Sequence, residues 1–173
     1  MRTLVAVIGG ETPPPEAMVL ADEVGRRLAE AGAAVVCGGL GGVMEAVCRG
    51  AHRAGGLTIG ILPTGRRSDA NSDVDVAIPT GLGVARNVLV VMAGHAVIAI
   101  DGSFGTLTEI AHALELRKPV FALGSWDLDS ADIDPSRYVR VKTPEEAVRL
   151  ALEAAQRPAT SQDPFREHSG REG

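Results

Sequence analysis

Short apolar runs alternate along the chain with longer segments in which apolar residues recur every three or four positions. A short apolar run bounded by glycine, proline or polar residues is typical of a buried strand. Such runs predict strands over residues 3–8, 34–37, 57–62, 74–78, 95–101, 119–123 and 138–141. Most positions in these runs are apolar, which indicates a sheet covered on both faces.

The periodic segments predict helices between these strands. They cover residues 16–31, 43–51, 84–93 and 110–116, and a closing helix ends near residue 156. Strands that alternate with helices are the signature of a parallel sheet. We therefore predict an α/β, single-domain, Rossmann-like fold of three layers, with a mostly parallel sheet flanked by helices, over residues 1–156. Residues 157–173 are polar and irregular, and we assign them to a C-terminal tail.

The composition indicates a single domain and argues against a nucleic-acid-binding function. With 173 residues, of which 45% are hydrophobic, the chain suits one domain with a sizeable core. A net charge of −5 and only three Phe, one Tyr and one Trp argue against a nucleic-acid partner, which would need a basic face or stacking aromatics. Cys37 and Cys48 are expected to be buried thiols, and a cytoplasmic location without membrane contact is predicted.

The stretch from Asp101 to Glu109 carries the strongest chemical signal. It joins the predicted strand 95–101 to a helix through a glycine-bearing turn. The first N–H groups of a helix lack intrahelical partners and carry the positive end of its dipole, so this arrangement suits an anion such as phosphate. Gly102, Ser103, Gly105 and Thr106 are the candidate phosphate-binding residues, and Glu109 lies close enough to meet the rest of the ligand.

Two further glycine turns follow the first and second strands. The candidate ligand-binding residues there are Gly9, Gly10, Gly38, Gly39, Gly41, Gly42 and Glu45. For Glu45, a role at the start of its helix is as plausible as a contact with ribose or base. Neither turn has the dinucleotide-binding fingerprint, and no Walker-type phosphate loop follows any strand. Four scattered histidines without ligand spacing predict no metal site.

These residues resemble those of a known family. The turn 38–44, the Arg86-Asn87 pair and the segment 105–109 are similar to the Lonely Guy (LOG) family and to its relatives, the molybdenum cofactor carrier proteins, and the resemblance covers most of residues 1–156. Many relatives carry the label lysine decarboxylase. Decarboxylation of lysine commonly uses an enzyme lysine that forms a Schiff base with pyridoxal phosphate. Lys118 and Lys142 are the only lysines, and both lie near predicted strand ends, so the residues do not support this label.

The resemblance implies two alternative functions. In the Lonely Guy enzymes the phosphate of a nucleoside 5′-monophosphate rests on the turn matched by Gly105 and Thr106. Arg86 and Glu109 match the catalytic pair, which cleaves the N-glycosidic bond to release base and ribose 5-phosphate without a cofactor. The alternative is a carrier that binds the molybdenum cofactor, a pterin phosphate, without turnover. Asp101-Gly102-Ser103 in place of Pro-Gly-Gly, and Arg86-Asn87 in place of Arg-Lys, favour the carrier.

Physical chemistry assigns the roles of the pair. A carboxylate beneath the ribose stabilises the positive charge that develops as the bond breaks, so Glu109 suits that task. Arg86 can orient the phosphate or the carboxylate through paired hydrogen bonds. The alternative for Glu109 is a favourable interaction with the helix dipole alone. Segment 84–93 is apolar nearly all round after its first turn, which predicts a subunit interface and at least a homodimer.

Overall fold

Seven strands form one sheet in the computed structural model, which describes residues 2–128 and 133–157. The strands are β1 Leu4–Gly9, β2 Ala34–Cys37, β3 Thr58–Leu62, β4 Val76–Pro79, β5 Ala96–Ile100, β6 Val120–Leu123 and β7 Tyr138–Val141. Their order in the sheet is β4-β3-β2-β1-β5-β6-β7, and each neighbouring pair is parallel. The predicted parallel sheet is confirmed and extends to every strand described.

Five helices complete the three-layer fold. They are α1 Pro15–Glu30, α2 Val43–Arg53, α3 Asn87–Ala93, α4 Phe104–Glu115 and α5 Pro144–Gln156. Side chains of α1, α2 and α5 pack on one face of the sheet, and those of α3 and α4 pack on the other. The predicted Rossmann-like α/β class is thereby confirmed, whereas the predicted tail after Arg157 lies outside the described residues.

The central strands are buried on both faces. In β1, Val5 and Val7 belong to the core under α1, α2 and α5, whereas Ala6 and Ile8 belong to the core under α3 and α4. Successive side chains of a strand point to opposite faces. Since both faces are covered, the strand is a continuous apolar run without alternating polar positions.

The segment predicted as one helix over 84–93 has two parts. Gly83–Arg86 forms a 3₁₀ turn, and the α-helix begins only at Asn87. Val90 and Val91 are buried, but Val84 is 86% exposed and Met92 is 44% exposed. The tight turn directs Arg86 into the sheet edge, where its guanidinium contacts the carbonyl oxygen of Gly38. The predicted homodimer stays a prediction.

The order of the strands creates a crevice. The chain moves outward from β1 through β2 to β4 on one side, and from β5 to β7 on the other. In open parallel sheets, ligands bind outside the carboxyl ends of the strands at such a switch point. The turns after β1, β2 and β5 meet there, so the three predicted glycine turns lie at one edge.

Within residues 2–128 and 133–157, no helix combines the length and the apolar character needed to cross a membrane.

A close contact between α1 and α2 gives a stability prediction. A Cβ at Gly25 would lie 2.0 Å from the carbonyl oxygen of Val47. Gly25→Ala should therefore lower the free energy of unfolding by about 1 to 3 kcal/mol through overpacking. This loss exceeds the roughly 1 kcal/mol that alanine contributes over glycine inside a helix. Chemical denaturation of Gly25→Ala and of the unchanged protein measures the difference in the free energy of unfolding.

The matched control is Gly65→Ala, because a Cβ at Gly65 meets nothing within 4 Å. That variant should unfold within about 0.5 kcal/mol of the unchanged protein. Equal stability of the two variants would show that α1 and α2 are not packed through Gly25.

Candidate functional site

A cavity of about 140 Å³ opens at the carboxyl edge of the sheet, beside the β1–β5 switch point. The turns after β1 and β2, the 3₁₀ turn before α3 and the start of α4 surround it. Its lining residues are Val7, Ile8, Gly9, Glu11, Gly38, Leu40, Met44, Arg86, Asn87, Ser103, Gly105, Thr106 and Glu109.

The start of α4 forms one wall of the cavity. Ser103 is the N-cap residue, but its side chain makes no capping hydrogen bond. Ser103, Gly105 and Thr106 all line the cavity. An uncapped helix start presents free N–H donors and the positive end of the dipole, which is the environment that an anion prefers.

Unpartnered polar atoms concentrate at this cavity. Among the described residues, three buried side-chain nitrogen or oxygen atoms have no hydrogen-bond partner, and two of them are Arg86 Nε and Thr106 Oγ1. The third, His112 Nδ1, belongs to a residue that does not line the cavity. Buried polar groups are nearly always paired in folded proteins. Two unpaired donors on residues that line one cavity therefore favour a hydrogen-bond acceptor beside them.

Arg86 is a buried cation with two hydrogen-bond partners. It is only 6% exposed, and its Nη1 donates to Asn87 Oδ1 at 3.0 Å. Its Nη2 donates to the carbonyl oxygen of Gly38 at 3.4 Å. A Cβ at Gly38 would lie 2.4 Å from the same Nη2, so a larger residue here would displace the guanidinium. Burial lowers the pKa of Arg86, while the neighbouring Glu109 acts in the opposite direction.

Glu109 faces Arg86 across the cavity without a hydrogen bond. Its Oε1 lies 3.7 Å from Arg86 Nη1, and the residue is 7% exposed. Burial raises the pKa of Glu109 to about 8, although the charge of Arg86 acts to lower it. The desolvation effect prevails because the guanidinium donates to Gly38 and Asn87 rather than to this carboxyl group. Glu109 is therefore mostly neutral at pH 7.

The predicted glycines fall into two groups. A Cβ at Gly9 would lie 2.5 Å from the carbonyl oxygen of Ile100, and one at Gly42 would lie 2.4 Å from that of Gly10. Packing within the protein thus explains these positions. At Gly105 the nearest atom to a Cβ, Ser103 Oγ, is 3.8 Å away. Since the protein itself does not require glycine there, the open space is available to a ligand.

The structure brings about half of the sequence-predicted residues together. The cavity is lined by Gly9, Gly38, Arg86, Ser103, Gly105, Thr106 and Glu109. The other predicted residues are not among its lining residues, namely Gly10, Gly39, Gly41, Gly42, Glu45 and Gly102. Glu45 lies half-buried in the first turn of α2, which fits its alternative role at a helix start. In the part of the chain that the structure describes, no group of three or more His, Cys, Asp or Glu side chains is arranged to hold a metal.

Several lining residues were missing from the predicted site. Asn87 orients Arg86, and its sequence signal was present in the Arg86-Asn87 pair. Glu11 follows the glycine turn after β1, and its place beside the switch point depends on strand order, which the sequence alone does not show. Leu40 and Met44 contribute apolar walls and cannot be distinguished from core residues by pattern.

The family model of the SLOG cluster4 family matches residues 2–153. An uncharacterized protein of Archaeoglobus fulgidus is 40% identical over 152 residues, which cover 87% of this chain and 95% of that protein. The resemblance inferred from the glycine turns and the Arg86-Asn87 pair is confirmed at the level of the family.

Two solved structures with the same fold are those of molybdenum cofactor binding or carrier proteins. The molybdenum cofactor binding protein of the phototrophic bacterium Rippkaea orientalis superposes with a TM-score of 0.83 at 36% identity, covering 88% of this chain and 97% of that one. The molybdenum cofactor carrier protein of Chlamydomonas reinhardtii superposes with a TM-score of 0.80 at 28% identity. The superposition covers 91% of this chain and 100% of that one.

Replacing Thr106 by valine should separate stability from binding. Thr106→Val removes a buried hydroxyl that has no partner and keeps the shape of the side chain. The free energy of unfolding of the ligand-free protein should rise by about 1 kcal/mol, because the desolvation cost of that hydroxyl is removed. Affinity for a phosphate-bearing ligand should fall in the same variant. Chemical denaturation and calorimetric titration measure the two effects.

The control is Thr108→Val on the same helix. Its hydroxyl is exposed and donates to the carbonyl oxygen of Phe104 at 2.8 Å, so no gain in stability is expected. A loss of stability in Thr106→Val would mean that its hydroxyl already has a partner in the folded protein.

Glu109 should make stability depend on pH. Below pH 4.5 the carboxyl group is protonated in both the folded and the unfolded chain. Between pH 4.5 and about 8 the unfolded chain releases the proton and the folded chain retains it, so stability falls as pH rises and then levels off. Relative to Glu109→Gln, the free energy of unfolding should decrease by at most about 5 kcal/mol over this range.

Urea denaturation at pH 5 and pH 8 measures this difference, with Glu16→Gln at an exposed position as the control. Parallel pH profiles for the unchanged protein and Glu109→Gln would contradict the raised pKa of this carboxyl group.

Proposed function

Because the chain belongs to the SLOG cluster4 family, we propose that its cavity binds a small phosphorylated heterocycle. The ligand class that we propose is a pterin phosphate, with the molybdenum cofactor as the bound molecule, held without turnover. The observation that carries the proposal is the pair of unpartnered buried donors, Arg86 Nε and Thr106 Oγ1, beside the uncapped start of α4.

The phosphate group would rest between these donors. Gly105 leaves open space at the helix start, and Ser103 adds a hydroxyl at the same wall. A dianionic phosphate would neutralise the buried charge of Arg86 and accept from Thr106, which satisfies both donors at once. Neutral Glu109 offers no electrostatic opposition to the anion at pH 7.

The raised pKa of Glu109 is compatible with binding of an anion. Stabilising the positive charge that develops on a ribose requires an ionised carboxylate. With a pKa of about 8, Glu109 is mostly protonated at neutral pH. The solved structures that support a pterin ligand are the molybdenum cofactor binding and carrier proteins named above.

A second candidate function is a nucleoside 5′-monophosphate phosphoribohydrolase. Its support is the placement of Arg86 and Glu109, which face one another in the same cavity at 3.7 Å. A nucleotide whose phosphate rests at Gly105 would bring its ribose toward this pair. Once ionised, Glu109 would stabilise the oxocarbenium-like ribose, and Arg86 would hold the phosphate.

We also propose at least a homodimer. The support is a group of exposed large apolar side chains around the 3₁₀ turn and α3, namely Leu82, Val84 and Met92. Three large apolar side chains exposed on one short segment of the chain favour burial against a second subunit.

The two candidate functions have opposite pH dependences, and this distinguishes them. Affinity for a pterin that carries one phosphate should fall as pH rises from 7 to 9, because ionised Glu109 repels the anion. The phosphate is already mostly dianionic over this range, since its second pKa is about 6. Calorimetric titration of the unchanged protein and of Glu109→Gln measures the effect, and the variant should lose the pH step.

The same preparations are incubated with AMP and other nucleoside monophosphates, and free base and ribose 5-phosphate are followed. Release that increases through pH 8 and is abolished in Glu109→Gln would replace the binding function by the hydrolase. If neither a pterin phosphate nor a nucleotide binds, both functions are wrong.

A further inference from the structure

An exposed aromatic residue lies in the chain between two residues that line the cavity. Phe104 is the first residue of α4 and is 79% exposed. Its two chain neighbours, Ser103 and Gly105, both line the cavity. Most of the phenyl ring is therefore left in water, where its apolar surface contributes little to folding.

A second aromatic residue supports this ring. The centroids of Phe104 and Trp126 are 5.8 Å apart, and the ring planes are inclined by 38°. This is a favourable separation for two aromatic rings. Trp126 belongs to the segment after β6, so the pair joins two turns at the carboxyl edge of the sheet.

Two hydrogen bonds of Trp126 and one of the neighbouring Ser125 fix the position of this segment. Its Nε1 donates to the carbonyl oxygen of Ser103 at 3.2 Å. Its own carbonyl oxygen accepts from the hydroxyl of Tyr138. Next to it, Ser125 Oγ donates to the carbonyl oxygen of Asp101 at 2.6 Å. The segment after β6 is thus tied to both ends of the turn that opens α4.

The aromatic residues of this chain are few and concentrated. The sequence has three Phe, one Tyr and one Trp, and Phe104, Trp126 and Tyr138 meet at this corner. Tyr138 is buried and holds the tryptophan backbone, whereas Phe104 presents its ring to solvent. Such an arrangement offers a flat apolar face next to a phosphate-binding turn.

We propose that Phe104, backed by Trp126, is the surface on which the heterocycle of the ligand stacks while its phosphate rests at the start of α4. This inference rests on the proposed phosphate site. The cavity, lined by Ser103, Gly105 and Thr106 at the start of α4, would take the phosphate end of a ligand. A planar ring system attached to that phosphate would lie within reach of Phe104, which stands between Ser103 and Gly105 in the chain. Because stacking accepts any flat aromatic ring, the surface selects for a heterocycle without identifying it.

The experiment compares two ligands that share a phosphate. Ribose 5-phosphate probes the phosphate site alone, and a pterin that carries one phosphate probes both parts. Phe104→Ala should weaken binding of the pterin phosphate about tenfold and leave the affinity for ribose 5-phosphate unchanged. Calorimetric titration gives both dissociation constants. Removing an exposed side chain should leave the fold intact.

Trp126 provides a second readout, because it is the only tryptophan in the sequence. The pterin phosphate should quench its fluorescence, and ribose 5-phosphate should not. Phe104→Tyr should keep the affinity for the pterin phosphate, whereas Phe104→Leu, which retains an apolar side chain but loses the aromatic face, should not. Val19→Ala removes another exposed apolar side chain, on α1, and is the control that should bind both ligands normally.

The outcomes separate this inference from the proposed function. If Phe104→Ala binds both ligands as the unchanged protein does, or loses affinity for both equally, the stacking surface is wrong and the phosphate site stands. A fall in assembly mass in Phe104→Ala, with unchanged affinity, would assign the ring to a subunit interface and overturn the inference. If the unchanged protein binds neither ligand, the phosphate site and the stacking surface both fail.

Discussion

The buried charge of Arg86 is the constraint on which the carboxyl edge of the sheet depends. A cation taken out of water is costly unless polar partners surround it. Gly38 accepts one hydrogen bond and Asn87 another, while Glu109 stands 3.7 Å away and Nε has no partner. The site is therefore incompletely satisfied without a ligand, and an anion is the group that completes it.

The same charge links binding to the protonation of Glu109. Without a hydrogen bond from Arg86, burial dominates and the carboxyl group stays neutral at pH 7. An anion beside Arg86 would reinforce the neutral form, whereas positive charge developing on a ribose would favour the ionised form. One pair of side chains can thus serve a binding protein or a hydrolase, and the ligand decides which form of Glu109 is populated. This is why the arrangement of the pair alone does not separate the two functions.

The sequence predicted the fold more completely than the site. Continuous apolar runs such as β1 located the strands, because a strand buried on both faces needs no other signal. Arg86 and Glu109, 23 positions apart in sequence, were paired through a resemblance and not through pattern. Glu11 was missed because its position depends on the order of strands. The role of Glu45 stays a prediction, because a helix start near a glycine turn looks the same in sequence whether or not it faces a cavity.

The turn before α4 shows that a substitution can change a backbone path as well as a side chain. The Lonely Guy pattern places proline where this chain has Asp101. Here Asp101 has a φ of 50°, and Gly102 follows with a φ of 135°. A proline ring holds φ near −65°, so it cannot adopt this conformation, whereas aspartate tolerates it. The carbonyl oxygen of Asp101 also accepts from Ser125, which ties the turn to the segment carrying Trp126. A turn that begins with proline must follow a different path, and so the departure at Asp101 is part of what places Ser103 at the cavity.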